Sequence, residues 1–343
     1  MAAAVRRRKL RVLALTHPAH LPPESPEQLS EQELLEKRAA LDVAEGLRAL
    51  GHEVLPLGVQ DDLGPIQVAV AESEPHIVFN LLEEFHWSAL MDHNIVSYLE
   101  LLGLPYTGCN PRGLVISRDK ALSKKLLAYH DIPVPAFETF PLGRKVRRPP
   151  ELAFPLFVKS LTEHASLGIA RASLVHTDEE LEERVTFIHE RVGTDAIAEQ
   201  FIDGRELYVS LVGNERLRTF PTWELVVEDA PPSEPLIVTA RVKHDLAYQS
   251  KRGVRLRAAE DLPRETATRI GWLARRIYRV LELSGYARID FRLDAAGQLY
   301  FLDANPNPDI CEGEEFASAA RHAGVEYPRL IQRIVNLGLR RAG

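Results

Sequence analysis

The stretch RIDFRLDAAGQLYFLDANPNP, Arg288 to Pro308, decides the fold. Arg288 to Leu293 alternates polar and apolar residues, the period of a half-buried strand. Asp294-Ala295-Ala296-Gly297 is a turn signal, and Gln298 to Ala304 reads as a second strand. A four-residue loop predicts a register with Arg288 opposite Asp303. Strand side chains alternate between faces, so Arg288, Asp290, Asp303 and Asn305 are expected on one side of the hairpin. Two carboxylates and an amide oxygen are hard ligands suited to Mg²⁺, which binds through one or two carboxylates together with phosphate oxygens. A surface hairpin with solvated charges has the same pattern, so the rest of the chain must decide between them.

Composition narrows the class. The chain has 343 residues, room for two or three domains and an ample core. Hydrophobic content of 45% and charged content of 27% are ordinary for a soluble globular protein. A net charge of -7 gives no basic footprint for nucleic acid. Arg6-Arg7-Arg8-Lys9 precedes only a short apolar run, without a small-residue cleavage site, so no signal peptide is expected. No run of about 18 apolar residues suggests a membrane span, and a cytoplasmic location is the expectation. Cys109 and Cys311 are far apart and read as two reduced thiols, not a metal or disulfide framework.

The N-terminal third alternates strand and helix patterns: strands at Leu10–Thr16, Val54–Leu57 and His76–Leu82, with helices between and after them. Ser30 and Glu33 form a capping box for the first helix, which Gly51 ends. This rhythm predicts a small doubly wound parallel sheet. No GxGxxG follows the first strand, so it is not a standard dinucleotide fingerprint. Ser117 is the expected cap of a helix from Asp119 to Tyr129. Strands are expected at 156–159, 168–175 and 196–201, and a helix capped by Thr177 and Glu180. Strands at 206–212, 216–220 and 222–227 predict antiparallel sheet, followed by a long helix from Pro263 to about Leu283. The acidic hairpin and two helices finish the chain, with Gly324 ending the first of them.

Three lysines stand out. Lys120 lies in the first turn of a helix, Lys159 ends the apolar strand Phe154-Pro155-Leu156-Phe157-Val158, and Lys243 lies in a polar loop. Lysine is a mobile point charge suited to phosphate oxygens. The loop Ser160 to Gly168, which includes Ser166, has the small residues that let backbone N–H groups approach an anion. It lacks GxxxxGK[ST] and is not a P-loop. Glu199 to Glu206 is a strand, a turn and a new strand; a hinge here would offer backbone groups to a base edge and Glu206 to ribose hydroxyls.

Taken together, VFNLLE at Val78, ELLGLPYTG at Glu100, SRDKALSKKLL at Ser117, FPLFVKS at Phe154, SLGI at Ser166, AEQFIDGRE at Ala198 and the Arg288–Pro308 hairpin resemble the ATP-grasp superfamily, most closely its D-alanine–D-alanine ligase branch. The resemblance runs from about Leu10 to the C-terminus. It implies an α/β ATP-grasp fold with α+β elements. A Rossmann-like pre-ATP-grasp domain would span 1–116, a central lid domain 117–197 and a C-terminal antiparallel-sheet domain 198–343. It implies that Lys120, Lys159 and Lys243 hold ATP phosphates under a lid that includes Ser166. Glu199 and Ile202 would flank adenine, and Glu206 the ribose. Asp290, Asp303 and Asn305 would bind two Mg²⁺ ions, with Mn²⁺ as a substitute. Arg288 would stabilise a tetrahedral intermediate, with Lys243 beside it. The implied reaction joins a carboxylate to an amine through an acyl phosphate, on amino acids or a small peptide, in a protein the resemblance suggests is a homodimer.

The substrate half departs from the family. In place of a Gly-Gly-x-Ser-x-Glu loop, whose glutamate holds an ammonium, stands Thr16-His17-Pro18-Ala19-His20-Leu21-Pro22-Pro23-Glu24. In place of His-Gly-x-x-Gly-Glu stands Glu83-Glu84-Phe85-His86-Trp87. Glu314 falls near the family's carboxylate-binding serine, within the run Glu312 to Glu315. The expectation is a ligase with rebuilt substrate pockets: His17, His20, His86 and Trp87 around the donor, and a cationic acceptor drawn by the acids. An authentic D-alanine–D-alanine ligase, a thiol-accepting ligase and a non-catalytic ATP-binding regulator remain as rivals.

Overall fold

The computed structural model describes residues 9–23, 29–163, 167–229, 231, 235–239, 242 and 245–341. Lys243 and Ser166 therefore lie outside the described residues.

The chain opens with β1 (Arg11–Thr16), α1 (Glu31–Ala49), β2 (Glu53–Gly58), α2 (Gly64–Ser73) and β3 (Ile77–Asn80). These strands make a parallel sheet in the order β2-β1-β3, which a parallel bridge from Val78 to Tyr106 extends. The Ser30–Glu33 capping box is formed in full. Helices α3 (Asp92–Leu101), α4 (Pro111–Arg118) and α5 (Lys120–Tyr129) follow. The cap of α5 is not the expected Ser117. Ser117 is buried in the last turn of α4 and donates its hydroxyl to the Gly113 carbonyl (2.6 Å), while Asp119 caps α5 by accepting from two backbone N–H groups. Asp is as good a cap as Ser, and a displacement of two residues decided between them.

A second sheet comprises β4 (Phe137–Phe140), β5 (Leu156–Ser160), β6 (Leu174–Val175) and β7 (Ala196–Gln200), in the order β4-β7-β5-β6, with α6 (Asp178–Phe187) packed against it. The strand expected over 168–175 is only the two residues of β6, because Arg171–Ser173 forms a 3₁₀ turn. The third sheet is antiparallel. It holds β8 (Arg205–Val212), β9 (Arg218–Thr219), β10 (Trp223–Val227), β11 (Val254–Ala258), β12 (Tyr286–Leu293) and β13 (Leu299–Asn305), ordered β11-β10-β8-β12-β13 with β9 beside β8. α7 (Leu246–Arg252) and α8 (Arg264–Val280) fall within this part; α9 (Glu315–His322) and α10 (Tyr327–Arg341) end the chain.

The hairpin register differs from expectation by two residues. Arg288 lies opposite Asn305 and Asp290 opposite Asp303, and the register shifts at a bulge between Asp290 and Phe291. A two-residue slip keeps every side chain on its face, so the expected grouping survives the wrong pairing. The cores set how the sheets are joined. Leu13, Leu15 and Tyr106 share one core with Leu207, Phe291 and Phe301, so the first and third sheets are fused. Val12, Val43 and Phe79 share a second with Phe316, Leu330 and Ile334. The middle sheet keeps its own core of Phe140, Leu156, Val158, Leu181 and Ala198.

Candidate active site

One cleft runs between the second and third sheets. Lys120, Lys159, Glu199 and Ile202 line its wall toward the second sheet. Glu206, Arg288, Asp290, Asp303 and Asn305 line the wall formed by the third. The register explains the second wall: β12 pairs with β8 so that Arg288 faces Ser210, Asp290 faces Tyr208 and Arg292 faces Glu206, while β13 supplies Asp303 and Asn305 from the other side. Alternation then puts these polar residues on one face of a sheet whose other face is core.

The basic wall is buried. Lys124 and Lys159 each place Nζ 3.2 Å from the same Glu199 oxygen. Lys124 also donates to the Leu302 carbonyl and lies 5.0 Å from the centre of the Phe301 ring. Lys120 donates to the Glu163 carbonyl (2.6 Å). Burial lowers the Lys120 ammonium to about 8; Asp303 opposes the drop, and Lys159 and Lys124 add to it. Burial acts the same way on Lys159, but Glu199 and Asp303 outweigh it and its pKa is raised. Glu199 has burial against its charge and is nonetheless lowered by Lys124 and Lys159. Three ammonium groups thus face two carboxylates, an excess of positive charge in a desolvated place that an anion would offset.

The acidic wall is ordered by arginine. Arg288 donates Nε to Asp290 Oδ1 (2.7 Å) and Nη2 to Asp290 Oδ2 (2.9 Å), and its Nη1 lies 3.1 Å from Glu315. Asn305 donates Nδ2 to Asp290 Oδ2 (3.2 Å). Glu206 accepts from Arg292 (2.8 Å) and from the Tyr208 hydroxyl (2.8 Å), which fixes it at the cleft. Among the described residues, no group of three His, Cys, Asp or Glu is placed to hold a metal. A cation here would rest on Asp290, Asp303 and the Asn305 amide. That all-oxygen set fits Mg²⁺, whose remaining positions go to phosphate and water.

The sequence reading missed Lys124, Tyr208 and Arg292, and it gave Glu315 to an acceptor pocket rather than to Arg288. Two of these carried a signal. Lys124 is four residues after Lys120 on one helix, and Arg292 continues the alternation of Arg288 and Asp290. Tyr208 and Glu315 enter through sheet register and helix docking, which alternation does not report.

A separate cavity of about 450 Å³ lies where β1, β3 and the segment after β13 end. His17, His20, Glu83, Glu84, Asn307 and Asp309 line it. His86 and Trp87, expected with them, do not, and Trp87 is 62% exposed. Glu83 lines the cavity with an exposed side chain, and the protein gathered around it, with Asp309 next, pushes its carboxyl up to about 7. The acidic run after β13, expected to draw a cationic acceptor, does not line this cavity. Glu312 pairs with Arg321 (2.9 Å), Glu314 with Arg38 (3.7 Å) and Glu315 with Arg288, so arginines already offset its charge.

Two antiparallel sheets closing on a cleft with lysines on one side and an acid–amide set on the other define an ATP-grasp protein. A D-alanine–D-alanine ligase from Bacillus anthracis, solved in complex with ATP, superposes with a TM-score of 0.75 over 97% of this chain and 98% of its own, at 21% identity. The VanG D-Ala:D-Ser ligase of Enterococcus faecalis gives 0.71 over 96% and 100%, at 17% identity. In sequence, the D-ala D-ala ligase C-terminus family matches residues 126–336. The D-alanine–D-alanine ligase of Desulforudis audaxviator is 32% identical over 321 residues, 91% of this chain and 96% of the relative. The chain belongs to the D-alanine–D-alanine ligase family, enzymes that form carbon–nitrogen bonds with ATP. Among the described residues no helix is long and apolar enough to cross a membrane.

Proposed function

We propose that this protein is an ATP-dependent carboxylate–amine ligase whose substrate pockets differ from those of a D-alanine–D-alanine ligase. The observation that carries the proposal is the single cleft in which excess buried lysine charge faces Asp290, Asp303 and Asn305. Lys120 and Lys159 hold nucleotide phosphates, with Lys243 a third phosphate contact. Ser166 belongs to the loop over them. Glu199 and Ile202 flank adenine, and Glu206, fixed by Arg292 and Tyr208, takes the ribose. Asp290, Asp303 and Asn305 hold two Mg²⁺ ions, for which Mn²⁺ substitutes. Bound metal supplies charge neutralisation as phosphate passes to a substrate carboxylate. Arg288 then offers its guanidinium to the oxyanion formed when an amine attacks the activated carbon. The separate core of the middle sheet supports a division into 1–116, 117–197 and 198–343, in which the middle sheet closes on the third to exclude water, while α5 stays packed in the core of the first and third sheets. The protein acts on amino acids or small peptides in the cytoplasm, as a homodimer.

The altered pocket is supported by the cavity beside β1. The acids lining it are Glu36, Glu83, Glu84 and Asp309, and the loop after β1 brings His17 and His20 instead of a glutamate. The names of the relatives favour the second reading, an authentic D-alanine–D-alanine ligase. ADP release with Mg·ATP, measured over D- and L-amino acids, dipeptides and diamines with mass detection of products, separates them. A condensed product from partners other than two D-alanines is expected. D-alanyl-D-alanine as the sole product overturns the altered-pocket reading, and nucleotide binding without turnover of any partner overturns the ligase.

A further inference from the structure

Glu315 is a buried carboxylate that the proposed chemistry does not use. It is the first residue of α9 and 5% exposed, and it does not line the cleft. Oε1 accepts the Ser210 hydroxyl at 3.0 Å, and Oε2 lies 3.1 Å from Arg288 Nη1. Its neighbours Glu312 and Glu314 pair with partly exposed arginines at the surface. Glu315 alone turns inward, onto the arginine of the site. Ser210 is the β8 residue paired with Arg288, so one strand register delivers both the guanidinium and the hydroxyl that orients its second acid.

This arrangement bears on a conflict at Asp290. Both carboxylate oxygens of Asp290 are held by Arg288, and a cation needs the same oxygens. Asp290 Oδ2 already accepts from both Arg288 Nη2 and Asn305 Nδ2, so a metal bound there displaces one of these donors, and a metal on Oδ1 competes with Arg288 Nε for the same negative charge. A guanidinium with no other acid would either resist the metal or leave its place. Glu315 holds the third nitrogen, Nη1, and leaves Nε and Nη2 to exchange.

We propose that Glu315 is a positioning residue: it anchors Arg288 from behind while Asp290 passes to the metal, and thereby sets the metal affinity of the site. The proposal rests on the reading of Arg288 and Asp290 given above. It is tested without turnover, by electron paramagnetic resonance of Mn²⁺ binding to the full chain with a non-hydrolysable ATP analogue. E315Q preserves side-chain shape and a bond to Ser210 but removes the charge, leaving Asp290 as the one carboxylate on Arg288 among the described residues. The Mn²⁺ dissociation constant is expected to rise about tenfold. In an Arg288→Met background, where no guanidinium competes, the same exchange is expected to change it by less than about twofold. Ser210→Ala, which frees Glu315 without changing any charge, is expected to cause a smaller rise with the same dependence on Arg288, and it carries the test should E315Q fail to fold. Unchanged affinity in E315Q, or an equal loss in both backgrounds, overturns the proposal while leaving the ligase reading in place. A wild-type protein that binds no Mn²⁺–nucleotide overturns the reading of the site, and this proposal with it.

Discussion

At the scale of residues, the informative quantity is how little water reaches the lysines. Lys120 is 3% exposed and Lys124 0%, and three ammonium groups share Glu199 and Asp303. A desolvated ammonium near others loses its proton more easily, which is why Lys120 falls to about 8 from 10.5. Nucleotide phosphates favour the charged form and move Lys120 back up. Binding at pH 8.5 should therefore take up a proton. Affinity should fall as pH rises from about 8 toward 10.5, by up to about tenfold per pH unit. Calorimetry in buffers of different ionisation enthalpy measures the uptake directly. Proton release, or no exchange at pH 8.5, would mean that Lys120 does not face the phosphates.

At the scale of elements, period-2 alternation was sufficient to bring Arg288, Asp290, Asp303 and Asn305 to one face, because a two-residue register error leaves faces unchanged. One residue of that error is the turn, which pairs Leu293 with Leu299 and is one longer than expected; the other is the bulge, which has no alternation signal, since it adds a residue without changing residue types. Capping chemistry located α1 well and α5 to within two residues. The short β6 was overread because Gly168 to Val175 is only weakly patterned, and two-residue strands exist through their partners alone. Glu315 and Ser210 were out of reach for a different reason: they are 105 positions apart, and only docking of α9 on β8 joins them. The turn between β7 and β8 is the element most tightly determined by one residue. Gly204 has φ +143°, and a Cβ there would lie 2.1 Å from the Leu293 carbonyl oxygen. The Gly204 carbonyl also accepts from Arg292 (3.0 Å), which in turn holds Glu206. Gly204→Ala should lower stability by about 2 kcal/mol and weaken nucleotide binding with it. Denaturant titration checks the first effect, and an unchanged midpoint would show that the turn relaxes without strain.

At the scale of the molecule, the division of the cores assigns the moving part. The first and third sheets share two hydrophobic cores, so their relative motion would open buried apolar surface. The middle sheet and α6 keep a core to themselves and meet the third sheet across a polar cleft. α5 and the segment after it belong to the fused body: Leu127 and Ile132 are buried in the first of those cores, Lys124 donates to the Leu302 carbonyl, and the Phe301 N–H donates to the Pro133 carbonyl (2.9 Å). A polyphosphate with metal would add bonds to Lys120 and Lys159 on one side and to Asp290, Asp303 and Asn305 on the other. Its binding energy is then spent on closing one body against another. Hydrogen exchange should slow in β5 and β7 when an ATP analogue and Mg²⁺ are added, and remain unchanged in β1 and β3. At a hundredfold excess over Kd the stabilisation amounts to about 2.7 kcal/mol, and it should be concentrated in the middle sheet. Equal protection of the first and middle sheets would mean that the chain responds as one rigid body. Exclusion of water from a reactive intermediate would then depend on the loop over the phosphates rather than on closure of the whole middle part.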